Sequence, residues 1–235
     1  MNSKGKLYLL PTPLGENVSS TIPTYVVEIL HRLEYFIAER AKTARHFIKT
    51  TKPVKAFSEL HFQELNKRTH PDELLRMLEP AEQGHDMGLL SEAGCPGVAD
   101  PGAIVVEMAH QKGIQVIPLV GPSSILLALM ASGMNGQSFA FHGYLSPKRP
   151  DLTKDLKRLE SIAHKQHQTQ IFIETPYRNT QLIETALKTL AANTKFCIAA
   201  DLTLPTEYVL TQRIRMWKQT KLPDLHKKPA LFLIE

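Results

Sequence analysis

Leu90-Ser91-Glu92-Ala93-Gly94-Cys95-Pro96-Gly97-Val98-Ala99-Asp100-Pro101-Gly102 holds three glycines, two prolines and two carboxylates in one short stretch. Glycine lets a backbone turn tightly and approach a ligand, and proline ends any regular ladder. Either acid alone would read as a solvated side chain, but clustered in one loop they point to a binding turn. Gly121-Pro122-Ser123-Ser124 is a second such place. Two hydroxyls there precede an apolar helical run, where free amides suit an anionic group and where a serine also serves as an N-cap. Pro11-Thr12-Pro13-Leu14-Gly15 is a third loop of the same kind. No Gly-x-Gly-x-x-Gly, no Gly-x4-Gly-Lys-Ser/Thr and no Gly-x-Ser-x-Gly occurs, so dinucleotide, triphosphate and nucleophile-elbow sites lack support.

These loops need elements to hold them. Lys6 to Leu10 reads as a strand feeding the first loop. Apolar residues from Tyr25 to Leu33 recur at helical spacing and lead into a strand near Tyr35 to Ala38. Pro71 to Leu78 reads as a helix with Thr69 as N-cap, and Met87 to Leu90 as a strand. Ile104 to Gln111 reads as a helix closed by Gly113, followed by Ile114 to Val120, a β-branched run expected to be buried on both faces. The second half continues with helices at Ser123 to Ser132, Leu152 to Lys165 and Thr180 to Leu190. Its strands are Phe139 to Gly143, Thr169 to Glu174, Phe196 to Ala200 and Ala230 to Ile234. This alternation predicts an α/β fold with ligand sites in loops at the carboxyl ends of strands. The Gly121-Pro122 punctuation places a boundary near Leu119 to Pro122, giving an N-terminal α/β domain over 1–119 and a C-terminal one over 120–235.

Composition narrows the class. With 235 residues, 43% of them hydrophobic, the chain can bury a large core or two smaller ones, and no apolar run approaches the roughly 20 residues that cross a bilayer. Met1 to Lys6 leads into an apolar run too short for a signal-peptide core. Cys95 and Cys197 are the only cysteines, which excludes a disulfide framework and fits a reducing, cytoplasmic setting. Ten scattered histidines form no His-Glu-x-x-His pattern, so no metal is expected. A net charge of +5 favours approach to a polyanion such as RNA. Lys148, Arg149, Lys154, Lys157 and Arg158 form a modest basic run of the kind usually found on a solvated helix face.

The loop residues also carry a resemblance. Leu10-Pro11-Thr12-Pro13-Leu14-Gly15, Ser91-Glu92-Ala93-Gly94-Cys95-Pro96 and Ala99-Asp100-Pro101-Gly102 resemble motifs of the tetrapyrrole methylase superfamily, closest to its ribosomal RNA small-subunit methyltransferase I branch. Pro118-Leu119-Val120-Gly121-Pro122-Ser123-Ser124, Ala131-Ser132-Gly133, Phe141-His142-Gly143-Tyr144-Leu145 and Ile173-Glu174-Thr175-Pro176-Tyr177-Arg178 resemble its later blocks, so the similarity spans nearly the whole chain. The resemblance implies a two-domain fold with S-adenosyl-L-methionine in a cleft between the domains, usually within a homodimer. Carried over by position, cofactor contacts come from Leu10, Pro11, Glu92, Gly94, Cys95, Ser123, Ser124, Pro229 and Ala230. The implied activity is methylation of a ribose 2′-hydroxyl in small-subunit ribosomal RNA, the partner being that RNA or the small ribosomal subunit. A tetrapyrrole or other small-molecule methylase, and a silent paralogue that binds RNA or cofactor, are the alternatives. The chain departs from the branch where Ala38-Glu39-Arg40-Ala41-Lys42 stands for Ala-Glu-Asp-Thr-Arg and Asp201-Leu202-Thr203-Leu204 for Glu-Leu-Thr-Lys.

Transfer to oxygen needs in-line placement and a base for the hydroxyl proton. Glu39 is the leading candidate for that base, with Asp201 as the second catalytic candidate and Glu92 beside them.

Overall fold

The computed structural model describes residues 3–16 and 19–235; Met1, Asn2, Asn17 and Val18 lie outside the described residues. The chain divides into two compact units, Met1–Ser123 and Ser124–Glu235.

In the first unit β1 (Lys6–Leu10), β2 (Tyr35–Ala38), β3 (His61–Glu64), β4 (Met87–Leu90) and β5 (Gln115–Pro118) form one parallel sheet in the order β3-β2-β4-β1-β5. Successive strand residues point to opposite faces. Leu10, Phe36, Ala38 and Leu90 accordingly join a core with Val26 and Leu30 of α1 (Thr24–Arg32) and Ala44, Phe47 and Ile48 of α2 (Ala41–Thr50). Leu7, Ile37, Met87 and Leu89 face the other way. They pack with Leu78, with Ala81 of α4 (Glu79–Glu82), and with Val105 and Ala109 of α5 (Ala103–Gln111). Each Leu, Ile, Val, Phe or Met side chain removed from water in this way contributes about 1.5–3 kcal/mol. Adjacent strands β1 and β4 send their connections to opposite faces, to α1 and α5, so their carboxyl ends mark the switch point where open α/β sheets bind ligands.

Two expectations are corrected here. β5 is not buried on both faces: Val116 and Ile117, which point to opposite faces, are each only partly buried, and Gln115 and Pro118 are exposed. The helix at Pro71, α3 (Pro71–Arg76), is capped by His70, whose Nδ1 accepts from the Asp72 amide at 3.4 Å. Thr69 turns its hydroxyl back onto the Glu64 carbonyl, 3.0 Å away, and so is not the cap.

In the second unit β6 (Phe139–Tyr144), β7 (Thr169–Glu174), β8 (Lys195–Ala200), β9 (Tyr208–Arg213) and β10 (Ala230–Ile234) form a mixed sheet in the order β6-β7-β10-β8-β9. Only β6 and β7 are parallel; β10 runs antiparallel to both its neighbours, as β9 does to β8. One face packs Phe172, Phe196, Ile198 and Phe232 against α7 (Arg149–Gln166), α8 (Asn179–Thr189) and α9 (Ile214–Trp217). α6 (Ser124–Ser132) lies against β8, β9 and β10, tied by the Thr211 hydroxyl donating to the Ser132 carbonyl at 2.7 Å. Among the described residues no helix is long and apolar enough to cross a membrane, and no cluster of metal-ligating side chains occurs.

Candidate functional site

The loops that follow β1, β4 and β5 are stitched together. Thr12 and Gly94 exchange two backbone hydrogen bonds, each of 3.0 Å, which joins the first loop to the second. Gly94 has φ +78°, a left-handed backbone that favours glycine, and a Cβ there would come within 3.2 Å of Leu14 Cδ2 and 3.3 Å of the Pro122 carbonyl, tight contacts that would push on both loops. Gly121 packs directly on the Pro11 ring, and the Cys95 thiol donates to the Pro122 carbonyl at 3.5 Å, which brings in the third loop. Asp100 organises the second loop from within by accepting the amides of Gly97 and Gly102, both at 2.8 Å. Burial raises the pKa of Asp100 and those two bonds hold part of the rise back; burial also raises that of Cys95.

Beside the stitched loops opens a cavity of about 400 Å³ lined by residues 12–16, by Ser91, Glu92 and Ala93, and by Thr43, His46, Phe47 and Thr50 of α2. Its size is that of a small-molecule pocket. Glu92 is its one carboxylate besides Glu16. Burial raises the pKa of Glu92, a hydrogen bond from Thr43 works against the rise, and the neighbouring charge of Glu39 adds to it. Glu39 follows β2, has its carbonyl held by Asn66 Nδ2 at 3.5 Å, and borders a narrow recess with Ser91, Asp100 and Gly102. Two carboxylates thus stand close together at the carboxyl end of the parallel sheet.

The first unit therefore gathers Leu10, Pro11, Glu92, Gly94, Cys95 and Ser123 from three separate loops, with Glu39 next to them. Both Leu10 and Pro11 are buried, Leu10 within the core beside α1 and α2 and Pro11 under Gly121. Ser124 opens α6 in the second unit. There Pro229 and Ala230 lead into β10, and Asp201 follows β8 with its backbone at φ +50°. The Asp201 carboxylate is engaged, accepting from Lys228 Nζ at 2.9 Å and the Thr206 hydroxyl at 2.8 Å, while its amide donates to the Pro229 carbonyl at 3.1 Å. Asp201 thereby braces the segment that carries Pro229.

The sequence reading missed the α2 face of Thr43, His46 and Thr50, although their spacing of three and four places them on one side of a helix. It also missed Tyr25, whose hydroxyl accepts the Val120 amide at 3.0 Å and pins the third loop.

The donor set suits S-adenosyl-L-methionine. A sulfonium cation is repelled by ammonium and guanidinium groups, and among the described residues no Lys or Arg lines the cavity, whereas the Glu92 carboxylate does.

Comparison with known proteins agrees. Residues 6–216 match the family described as Tetrapyrrole (Corrin/Porphyrin) Methylases. Proteins named ribosomal RNA small subunit methyltransferase I are similar over most of the chain. That of Buchnera aphidicola is 30% identical over 89% of this chain and 70% of its own length. That of Vibrio cholerae is 31% identical over 86% and 67%. The solved structure of the methyltransferase CobJ superposes with a TM-score of 0.63 at 20% identity, covering 98% of this chain and 93% of the other. Cobalt precorrin-4 methyltransferase, CbiF, gives 0.59 at 15% identity over 97% and 94%, and both share the fold. The chain belongs to the tetrapyrrole (corrin/porphyrin) methylase family and is an S-adenosyl-L-methionine-dependent methyltransferase.

Proposed function

We propose that the chain methylates a ribose 2′-hydroxyl in small-subunit ribosomal RNA. The observation that carries this reading is the agreement of relatives from several bacteria, all named ribosomal RNA small subunit methyltransferase I and aligned over most of this chain. The net charge of +5 supports a polyanionic acceptor.

Bound S-adenosyl-L-methionine supplies an electrophilic methyl whose sulfur departs as a neutral thioether and needs no acid. The chain's own task is to hold the acceptor hydroxyl in line and to take its proton as the new oxygen–carbon bond forms. Glu39 is the proposed proton acceptor. Leu10, Pro11, Glu92, Gly94, Cys95, Ser123 and Ser124 are proposed cofactor contacts on the loop geometry and the resemblance, and Pro229 and Ala230 on the resemblance alone. Asp201 is a positioning residue in this reading, because its carboxylate is committed to Lys228 and Thr206. A homodimer is proposed on the resemblance; light scattering then gives about twice the 26.4 kDa chain mass.

The deciding experiment offers purified protein and methyl-labelled cofactor to small-subunit RNA and particles from a strain lacking the gene. Label in one ribose 2′-O-methyl supports the reading. Label confined to a small molecule, or none in RNA despite tight cofactor binding, overturns it.

A further inference from the structure

We propose that the outer face of α2 is a rail for the phosphate backbone of the RNA acceptor, an inference that rests on the RNA reading above. Residues 40–58 contain six of the chain's 28 Lys and Arg and none of its 23 Asp and Glu, leaving 22 basic against 23 acidic residues elsewhere. The positive balance of the protein therefore comes from this one segment. Lys42, Arg45 and Lys49 follow one another at spacings of three and four, which aligns them along one side of the helix, and all three are exposed. Lys52 continues the line just past the helix end.

These cations are not neutralised by the protein itself. Among the described residues no carboxylate lies within ion-pair distance of Arg40, Lys42, Arg45, Lys49 or Lys52, and only Lys55 is paired, with Glu34 at 2.6 Å. Of the nearby acids, Glu64 accepts the Ala41 amide at 2.8 Å, and Glu92 accepts the Arg40 amide and the Thr43 hydroxyl and feels the Arg40 charge, which leaves Lys42, Arg45 and Lys49 without an ion-pair partner among the described residues. Arg45 is further fixed by lying 4.7 Å over the Phe62 ring. The basic run on α7 is the contrast. There Arg149, Lys154 and Arg158 pair with Glu184, Asp151 and Asp155 at 3.6–3.7 Å, so that face is self-balanced.

Position gives the rail its meaning. The next side of the same helix, Thr43, His46 and Thr50, lines the cavity that holds Glu92. A strand whose phosphates run along Lys42, Arg45 and Lys49 passes the rim of that cavity, and guanidinium and ammonium groups are the natural partners of phosphate oxygens.

The test measures anisotropy of a fluorescein-labelled single-stranded RNA over a range of salt. Three proteins are compared: wild type, Lys42→Gln/Arg45→Gln/Lys49→Gln, and the matched α7 variant Arg149→Gln/Lys154→Gln/Arg158→Gln. Three lost phosphate contacts lower the salt slope by about 2 and weaken binding on the order of 100-fold near 0.1 M salt. The α7 variant is expected to bind within about twofold of wild type, since surface pairs contribute little. Unchanged affinity of the α2 variant for S-adenosylhomocysteine shows that its fold is intact. Should the triple variant not fold, Lys49→Gln alone still lowers the slope by about 0.7. Salt-dependent RNA binding that the α2 variants share unchanged overturns the rail and leaves the RNA reading standing. Absence of RNA binding by wild type overturns both.

Discussion

Replacing Gly121 by Ala tests the stitched loops directly. A Cβ at this position would lie 2.2 Å from Pro11 Cβ and 2.3 Å from Pro11 Cγ. Carbon contacts are comfortable near 3.5–4.0 Å, so the loops after β1 and β5 must separate by about 1.5 Å. The obstacle is a proline ring, which has no rotamer that moves it aside. Overpacking of this kind costs about 3 kcal/mol, the upper end of its usual range, and lowers Tm by roughly 6–12 °C in a chain of this size. Affinity for S-adenosylhomocysteine falls with it, because Gly94 and Cys95 are anchored to the same segment. Pro11→Gly removes both offending atoms and leaves Pro11 Cα, 3.7 Å away, as the nearest neighbour. The double variant Pro11→Gly/Gly121→Ala is therefore expected to be about as stable as Pro11→Gly alone, a coupling that a double-mutant cycle isolates. Gly136→Ala, where nothing lies within 4 Å, serves as the control and shifts stability by about 0.5 kcal/mol at most. Calorimetry of wild type and the four variants decides the matter. A Gly121→Ala protein that melts and binds like wild type refutes the packing argument, as does a double variant that suffers both losses in full.

Three further outcomes concern the carboxylates of the two units. Glu39→Gln slows methyl transfer by about 10²-fold or more while cofactor affinity stays within about twofold, as expected of a proton acceptor; equal losses in rate and affinity would point to a purely structural role. Glu92 has a raised pKa, so the folded protein holds that proton to higher pH than the unfolded chain, and ionisation of Glu92 favours unfolding. Glu92→Gln should thus match wild type in Tm near pH 4 and exceed it as the pH climbs through the raised value, a gap that thermal melts across pH would show or fail to show. Asp201→Asn leaves Lys228 without its charge partner and costs about 1–3 kcal/mol, the loss of one charged hydrogen bond with a half-exposed lysine left to rehydrate. It lowers cofactor affinity through Pro229 more than it lowers kcat, and a selective collapse of kcat would make Asp201 a reacting group instead.

Strands built around a short apolar run were legible from their residues: β7, with Ile171-Phe172-Ile173 at its centre, and β10, apolar throughout, occupy Thr169–Glu174 and Ala230–Ile234 as expected. β9 was not, because Tyr208–Arg213 is only half buried and ends in Thr211, Gln212 and Arg213, which carry no apolar alternation. Nor was the mixed character of the second sheet, since a strand–helix alternation describes parallel and antiparallel neighbours equally well until the pairing is seen. Burial of β5 was overestimated because β-branched composition reports strand preference and not how fully each face of the strand is covered. The three candidate loops stood out because glycine and proline are conspicuous. The α2 face did not, because Thr43, His46 and Thr50 belong to no motif and acquire meaning only when the chain after β1 and β4 folds against them.

The two sheets also differ in when they can be completed. The first has all five strands once Pro118 has been made. In the second, β10 lies between β7 and β8 although it comes last in chain order, so β6–β7 and β8–β9 remain two separate ribbons until Ala230–Ile234 is made. During translation the N-terminal unit can fold as it emerges, whereas the C-terminal unit must hold Phe172, Phe196 and Ile198 without their β10 partners. A nascent chain stalled before residue 230 would carry one finished domain and one set of exposed strand edges, the form that chaperones and proteases recognise.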